Sequence, residues 1–251
     1  IYYIYFLKKK TSLFQLAELK GEEENFFDTS TTPSSTMMKT VNYICSLGNL
    51  CSTASCIKQM QMKKCSFPFD WIFSNPNMII DCIDNDFKIF LDRNFHIPHE
   101  ILPNSKKGSG HKVYGGKMFQ HHYILEDNTY RYFVRCVNRF RILTKKKENK
   151  LFIISFVNKR EKISKELKNN IINLYKKLES ITTNFNLLVV YHRIDHNMRS
   201  EIVELNENFK IIEIFTRAES DGTRIKNKVE NQFYNNSIFK WYDFKILEDI
   251  K

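Results

Sequence analysis

Hydrophobic positions along this chain follow two rhythms. Short continuous apolar runs occupy residues 41–47, 150–156, 185–191 and 209–215. Runs of this length, rich in Ile, Val, Leu and Phe, predict strands buried on both faces. Between them the apolar residues recur at helical spacing. Residues 51–61 carry Ala54, Ile57 and Met60 in that pattern, and residues 129–145 carry Phe133, Val137, Phe140 and Ile142. Residues 78–91, with Pro76 close to their start, put Ile79, Ile80, Ile83, Phe87, Phe90 and Leu91 on one face of a single helix. Residues 162–178 read as an amphipathic helix, and the segment between 191 and 209 as helix-like. Residues 104–116, rich in Gly, Lys and Ser, predict a loop, followed by a short strand or extended segment over 117–124. This order predicts one α/β domain over residues 37–251. Its sheet is mostly parallel and flanked by helices, a Rossmann-like three-layer arrangement.

Residues 21–36 are acidic and then Ser/Thr/Pro-rich, and Met37-Met38 stands directly before the first apolar run. Residues 1–36 are therefore expected to be a leader or linker outside the folded domain.

Composition narrows the class. A hydrophobic fraction of 42% with 21 Phe and 12 Tyr fills a core, which excludes a disordered chain. The net charge of +11 favours an acidic partner in principle. The lysines are scattered through a chain also rich in Asn and Ile, so nucleic acid is not the expected partner. No run of about 18 apolar residues is present, and no membrane span is expected. The six cysteines form no Cys-x-x-Cys pair and have no His at zinc-finger spacing, so no metal site is expected. A core of this size needs no disulfides, which points to reduced thiols in the cytoplasm.

The candidate chemistry starts at Cys51. A strand ending in Ser46-Leu47-Gly48 and followed by a helix sets Cys51 at a helix N-terminus, where the helix dipole and backbone N–H groups favour a thiolate. Those N–H groups, with the Asn49 side chain, are candidate donors to an oxyanion. Phe67-Pro68-Phe69-Asp70-Trp71 reads either as a loop beside this site or as a Pro-fixed turn whose aromatics fill the core and whose Asp70 caps the next element.

Ser46-Leu47-Gly48-Asn49-Leu50-Cys51 together with Pro68-Phe69-Asp70-Trp71 resembles the opening of a family of uncharacterised proteins described as putative papain-like cysteine peptidases. Phe119-Gln120-His121, then Arg135-Cys136-Val137-Asn138-Arg139-Phe140, then the strand at 151–156 continue the resemblance in family order. It implies Cys51 as nucleophile and His121 as base, with a peptide or other acyl substrate, no cofactor, and a papain-like α+β fold as the alternative architecture. His122 stands where relatives often carry an acidic residue, and Arg135-Cys136 where two arginines are usual. Papain itself has a Gln upstream of its cysteine and an aromatic after it; here Cys45 and Ser52 stand at those places.

His122 is the neighbouring candidate base, and in an extended strand it points away from His121. Asp70, Asp127 and Asp195 are candidates to orient the histidine. His192, closing the strand at 185–191, is a rival base at the edge where α/β sheets gather ligands, and Asp221-Gly222 reads as a turn near that edge. Arg135 and Arg139, four apart on one helix face, could clamp an anion. On that reading the protein is a non-catalytic Rossmann-like module for a sugar nucleotide or phosphorylated glycan.

Overall fold

The computed structural model describes residues 38–99 and 108–250. The expected leader at 1–36 lies outside them. Strand β1 (Thr40–Val41) leads directly into β2 (Tyr43–Ser46), so the first apolar run makes two strands. Helix α1 (Ser52–Gln59) follows. The helix expected over 78–91 is two helices, α2 (Pro76–Asp84) and α3 (Lys88–Leu91). Asp86 and Phe87 separate them with φ of 50° and 58°. A phenylalanine in that left-handed region is uncommon, and its burial in the core holds it there.

A small antiparallel sheet comes next: β3 (His96–His99), β4 (Gly108–His111) and β5 (Gly115–Phe119). It overturns the expected loop over its described part. Gly110 permits it, because a Cβ there would collide with the Gly116 backbone.

The remaining elements are α4 (Asp127–Lys145), β6 (Lys150–Lys159), α5 (Lys165–Ile181), β7 (Phe185–Ile194), β8 (Arg199–Leu205), β9 (Phe209–Thr216), α6 (Lys228–Phe239) and β10 (Asp243–Phe244). The segment read as helix-like is the strand β8. It pairs antiparallel with β9 at the edge of a five-stranded sheet ordered β2-β6-β7-β9-β8, whose other strands are parallel. The short strands β1 and β10 pair with each other.

Side chains of β6 alternate between two cores. Phe152, Ile154 and Phe156 pack with α2, α4 and α5 on one face. Leu151 and Ile153 pack with α1 and α6 on the other. The chain is thus a three-layer α/β protein with a mostly parallel sheet, the first of the two expected architectures. All carboxyl ends of the parallel strands lie along one edge, where clefts form in such sheets.

Candidate active site at the carboxyl edge of the sheet

Beyond β2 the chain turns through Gly48 (φ 80°) and Asn49 (φ 76°) into α1. Cys51 is the residue that opens α1, half-buried, with no side-chain cap bond of its own. The turn is held by Ser74. Asn49 N–H donates to Ser74 Oγ at 2.7 Å, Ser74 Oγ donates to the Leu47 carbonyl at 2.8 Å, and Asn49 Nδ2 donates to the Ser74 carbonyl at 3.0 Å. The Asn49 amide is therefore spent on the turn and is not aimed at an oxyanion.

Ser74 is the last residue of a strap that begins at Phe67. Phe67 and Phe69 are buried in the core, and Phe73 N–H donates to the Met118 carbonyl of β5 at 2.9 Å. The strap thus ties the Cys51 turn to the small sheet. Both expectations for the Pro-Phe-Asp-Trp segment meet in it, since its aromatics fill the core and Trp71 borders the cleft.

Strand β5 ends at Phe119, and His122 N–H donates to the Phe119 carbonyl at 3.0 Å. Residues 120–122 form a turn, not the extended segment expected over 117–124. The two histidines still diverge. His121 is exposed and lines a cleft of about 430 Å³ together with Cys51, Trp71, Asn158 and Asp221. His122 instead stacks on Tyr132 (centroids 5.8 Å apart) and meets the edge of Phe133 at 5.3 Å. Burial lowers its pKa, with His121 adding to the effect. Among the described residues, the His121 ring has no hydrogen-bond partner.

Burial pushes the Cys51 thiol up from its ordinary value. A hydrogen bond from its own backbone N–H pulls it back, and the charge of Asp70 pushes it up further. Burial thus opposes the helix N-terminus, which by itself favours the thiolate. Cys45, Cys56, Cys82 and Cys136 are buried, which leaves Cys51 and Cys65 as the two half-buried cysteines.

Four other candidates sit elsewhere. Asp70 is 1% exposed and forms an ion pair with Lys63. It also accepts from Phe67 N–H at 2.8 Å, so it caps the strap and does not orient a histidine. Asp195 is paired with Arg199 at 2.7 Å and Asp127 with Arg93 at 2.7 Å. His192 is fully buried; its Nδ1 accepts from Asn158 N–H at 3.2 Å. Its Nε2 meets Thr216 Oγ1 at 2.7 Å. Since that hydroxyl donates to the Ala218 carbonyl, Nε2 carries the proton and both ring nitrogens are occupied. It is a strut between β7 and β9, not a base. The arginines do not clamp an anion at the cleft. Arg135 is exposed, Arg139 is half-buried beside Cys65 and Cys136, and neither lines it.

Burial lowers the His192 pKa to about 4. A base depressed in the folded state contributes stability above its unfolded pKa of about 6.5 and loses it as pH falls toward the folded value. His192 alone is expected to remove about 3 kcal/mol between those limits. Urea unfolding should show this loss below pH about 6.5, and a His192→Gln variant should show a shallower acid slope than wild type.

The far wall of the cleft is the turn after β9. Asn158 (φ 59°) makes a left-handed kink one residue before the end of β6, where the register with β7 shifts. Its side chain bonds both backbone groups of Ser220, accepting at 2.7 Å and donating at 2.8 Å. Asp221 Oδ1 accepts from Thr223 N–H at 2.8 Å and Arg224 N–H at 2.9 Å, which folds residues 220–226 against the cleft. Sequence reasoning marked Asp221-Gly222 as a turn at this edge but missed Asn158. Its signal was an Asn at the end of an apolar run, where a left-handed residue is tolerated.

Among the described residues, no group of three or more His, Cys, Asp or Glu side chains could hold a metal, and no helix is long and apolar enough to cross a membrane. Residues 42–103 match the model of a family described as "putative papain-like cysteine peptidase". Over that stretch the chain is similar to a peptidase-like hydrolase family. The match includes Cys51, Asp70 and Trp71 and ends before His121. No curated protein and no solved structure matches the chain.

Proposed function

We propose that this protein is a peptidase-like cysteine hydrolase in which Cys51 and His121 act as a pair. One observation carries the reading: a half-buried cysteine at a helix N-terminus and an exposed histidine from a different sheet border the same cleft. His121 takes the proton of Cys51 as Sγ attacks an acyl carbon. The free N–H groups of the first turn of α1 face the oxygen that gains charge. His121 returns its proton to the leaving group, and water then cleaves the thioester with His121 as base. Burial pushes the Cys51 thiol up, which gives His121 its part as the proton acceptor. The substrate is a peptide or another acyl compound. The anion-binding alternative lacks comparable support, since Arg135 and Arg139 stand apart from this cleft.

Iodoacetamide alkylation, mapped residue by residue across pH, tests the pair. Cys51 should react about tenfold faster than Cys65 near neutral pH, and His121→Ala should remove most of that advantage. Equal rates at Cys51 and Cys65, or an unchanged Cys51 rate without His121, would count against the proposal.

A further inference from the structure

A second concavity adjoins the Cys51 cleft. It is an open groove of about 730 Å³, and it meets the cleft at Asp221, Thr223 and Lys226, which border both. Its walls are the outer side of α1 and the turn that leads into α6. Four cationic side chains line it: Lys58, Arg224, Lys226 and Lys228. Its one acid, Asp221, is already engaged by Thr223 and Arg224. Lys226 lies 3.4 Å from Glu219. Lys58 and Lys228 are exposed and have no ion-pair partner among the described residues. The groove therefore presents unpaired positive charge next to a candidate nucleophile.

Resting on the proposed Cys51 chemistry, we infer that the substrate is an acidic peptide, whose carboxylates lie in this groove while its acyl carbon reaches Cys51. Distance sets the register. Cys51 opens α1 and Lys58 lies seven residues further along it, about 10 Å at the helical rise. An extended peptide covers that in about three residues. An Asp or Glu about three positions from the scissile bond thus meets Lys58, with Lys228 across the groove. Nucleic acid is a poorer fit, because no aromatic side chain lines the groove to stack on a base.

The test uses a fluorescein-labelled Glu-rich peptide, its Gln-rich counterpart and an oligothymidylate, with anisotropy as readout. The Cys51→Ala protein should bind the Glu-rich peptide at least about tenfold more tightly than the Gln-rich one at low salt. The preference should vanish in about 1 M salt, where charges are screened within about 3 Å. The double substitution Lys58→Glu and Lys228→Glu, both at exposed positions, should abolish it. On the wild-type protein the Glu-rich peptide should also slow alkylation of Cys51. Equal binding of the two peptides overturns the inference, and tighter binding of the oligothymidylate overturns it in favour of nucleic acid. Iodoacetamide alone on wild type reports on Cys51 separately. Fast alkylation without a Glu preference sinks only the substrate assignment. Slow alkylation with tight Glu-peptide binding sinks the thiol reading and, with it, the groove's role as a substrate site.

Discussion

Replacing Lys63 by methionine should cost about 3–5 kcal/mol of folding stability at neutral pH, the usual penalty for leaving a buried charge without its partner. Lys63 pairs with Asp70, whose side chain is 1% exposed, and it also donates to the Cys65 carbonyl at 2.9 Å. Burial raises the Asp70 pKa, while the Lys63 charge and hydrogen bond pull it down. Without Lys63 that pKa rises further. An acid raised in the folded state favours folding most below its unfolded pKa of about 3.9, and that advantage is lost as pH rises through the folded value. The gap between wild type and Lys63→Met should therefore shrink as pH falls toward 4, because Asp70 then enters the core neutral. Adding Asp70→Asn to Lys63→Met should recover much of the loss at neutral pH. Denaturant titrations of the three proteins from neutral to acid pH decide it. A gap independent of pH, or a double variant weaker than the single, would be incompatible with this account.

Gly48→Ala is the second large effect. At φ 80° an alanine sits in the left-handed region at a cost of about 1–2 kcal/mol. Its Cβ would also collide with the Phe69 carbonyl and Ser74 Oγ, backbone and strap atoms that cannot swing away. Together these should destabilise the fold by on the order of 2–5 kcal/mol. The collision falls on the joint between the Cys51 turn and the strap. Rapid alkylation of Cys51 should therefore fall toward the Cys65 rate even where the variant stays folded. Retained rapid alkylation with unchanged stability would show that this joint does not position the thiol. Ser74→Ala probes the same joint without a steric clash and should weaken it more mildly, by about 1 kcal/mol for each lost hydrogen bond.

The sequence disclosed the layered sheet because strands such as β6 and β7 are apolar on both faces, a pattern that amphipathic helices do not share. It misled at β8. That edge strand sets Glu201 and Glu204 three apart around Ile202 and Val203, where its register with β9 shifts, so strict alternation is lost and the spacing fits a helix as readily. The break at Asp86 and Phe87 was invisible, since nothing in a phenylalanine announces a left-handed backbone. Of the candidate residues, Cys51, His121 and Trp71 were legible in the sequence, and they border one cleft. Other roles were not. Asp70 and His192 look like catalytic groups in a sequence, and only the pairing of Asp70 with Lys63, and of His192 with Asn158 and Thr216, shows them as structural. Asn158 gains its meaning from Ser220, a partner 62 residues away that periodicity cannot reveal.

That last contact bears on when the molecule becomes competent. The Cys51 turn and the strap are made first of the site's parts, and the histidine follows with the small sheet. The far wall at residues 220–226 emerges after both, fixed by the Asn158 clasp, and β10 then pairs with β1. Contacts this distant along the chain form slowly. A nascent chain therefore carries its thiol beside an unfinished cleft until residues 220–226 have emerged, and the cationic groove waits for the start of α6. The order of the elements sets the proposed Cys51 chemistry behind assembly of the β9–α6 wall.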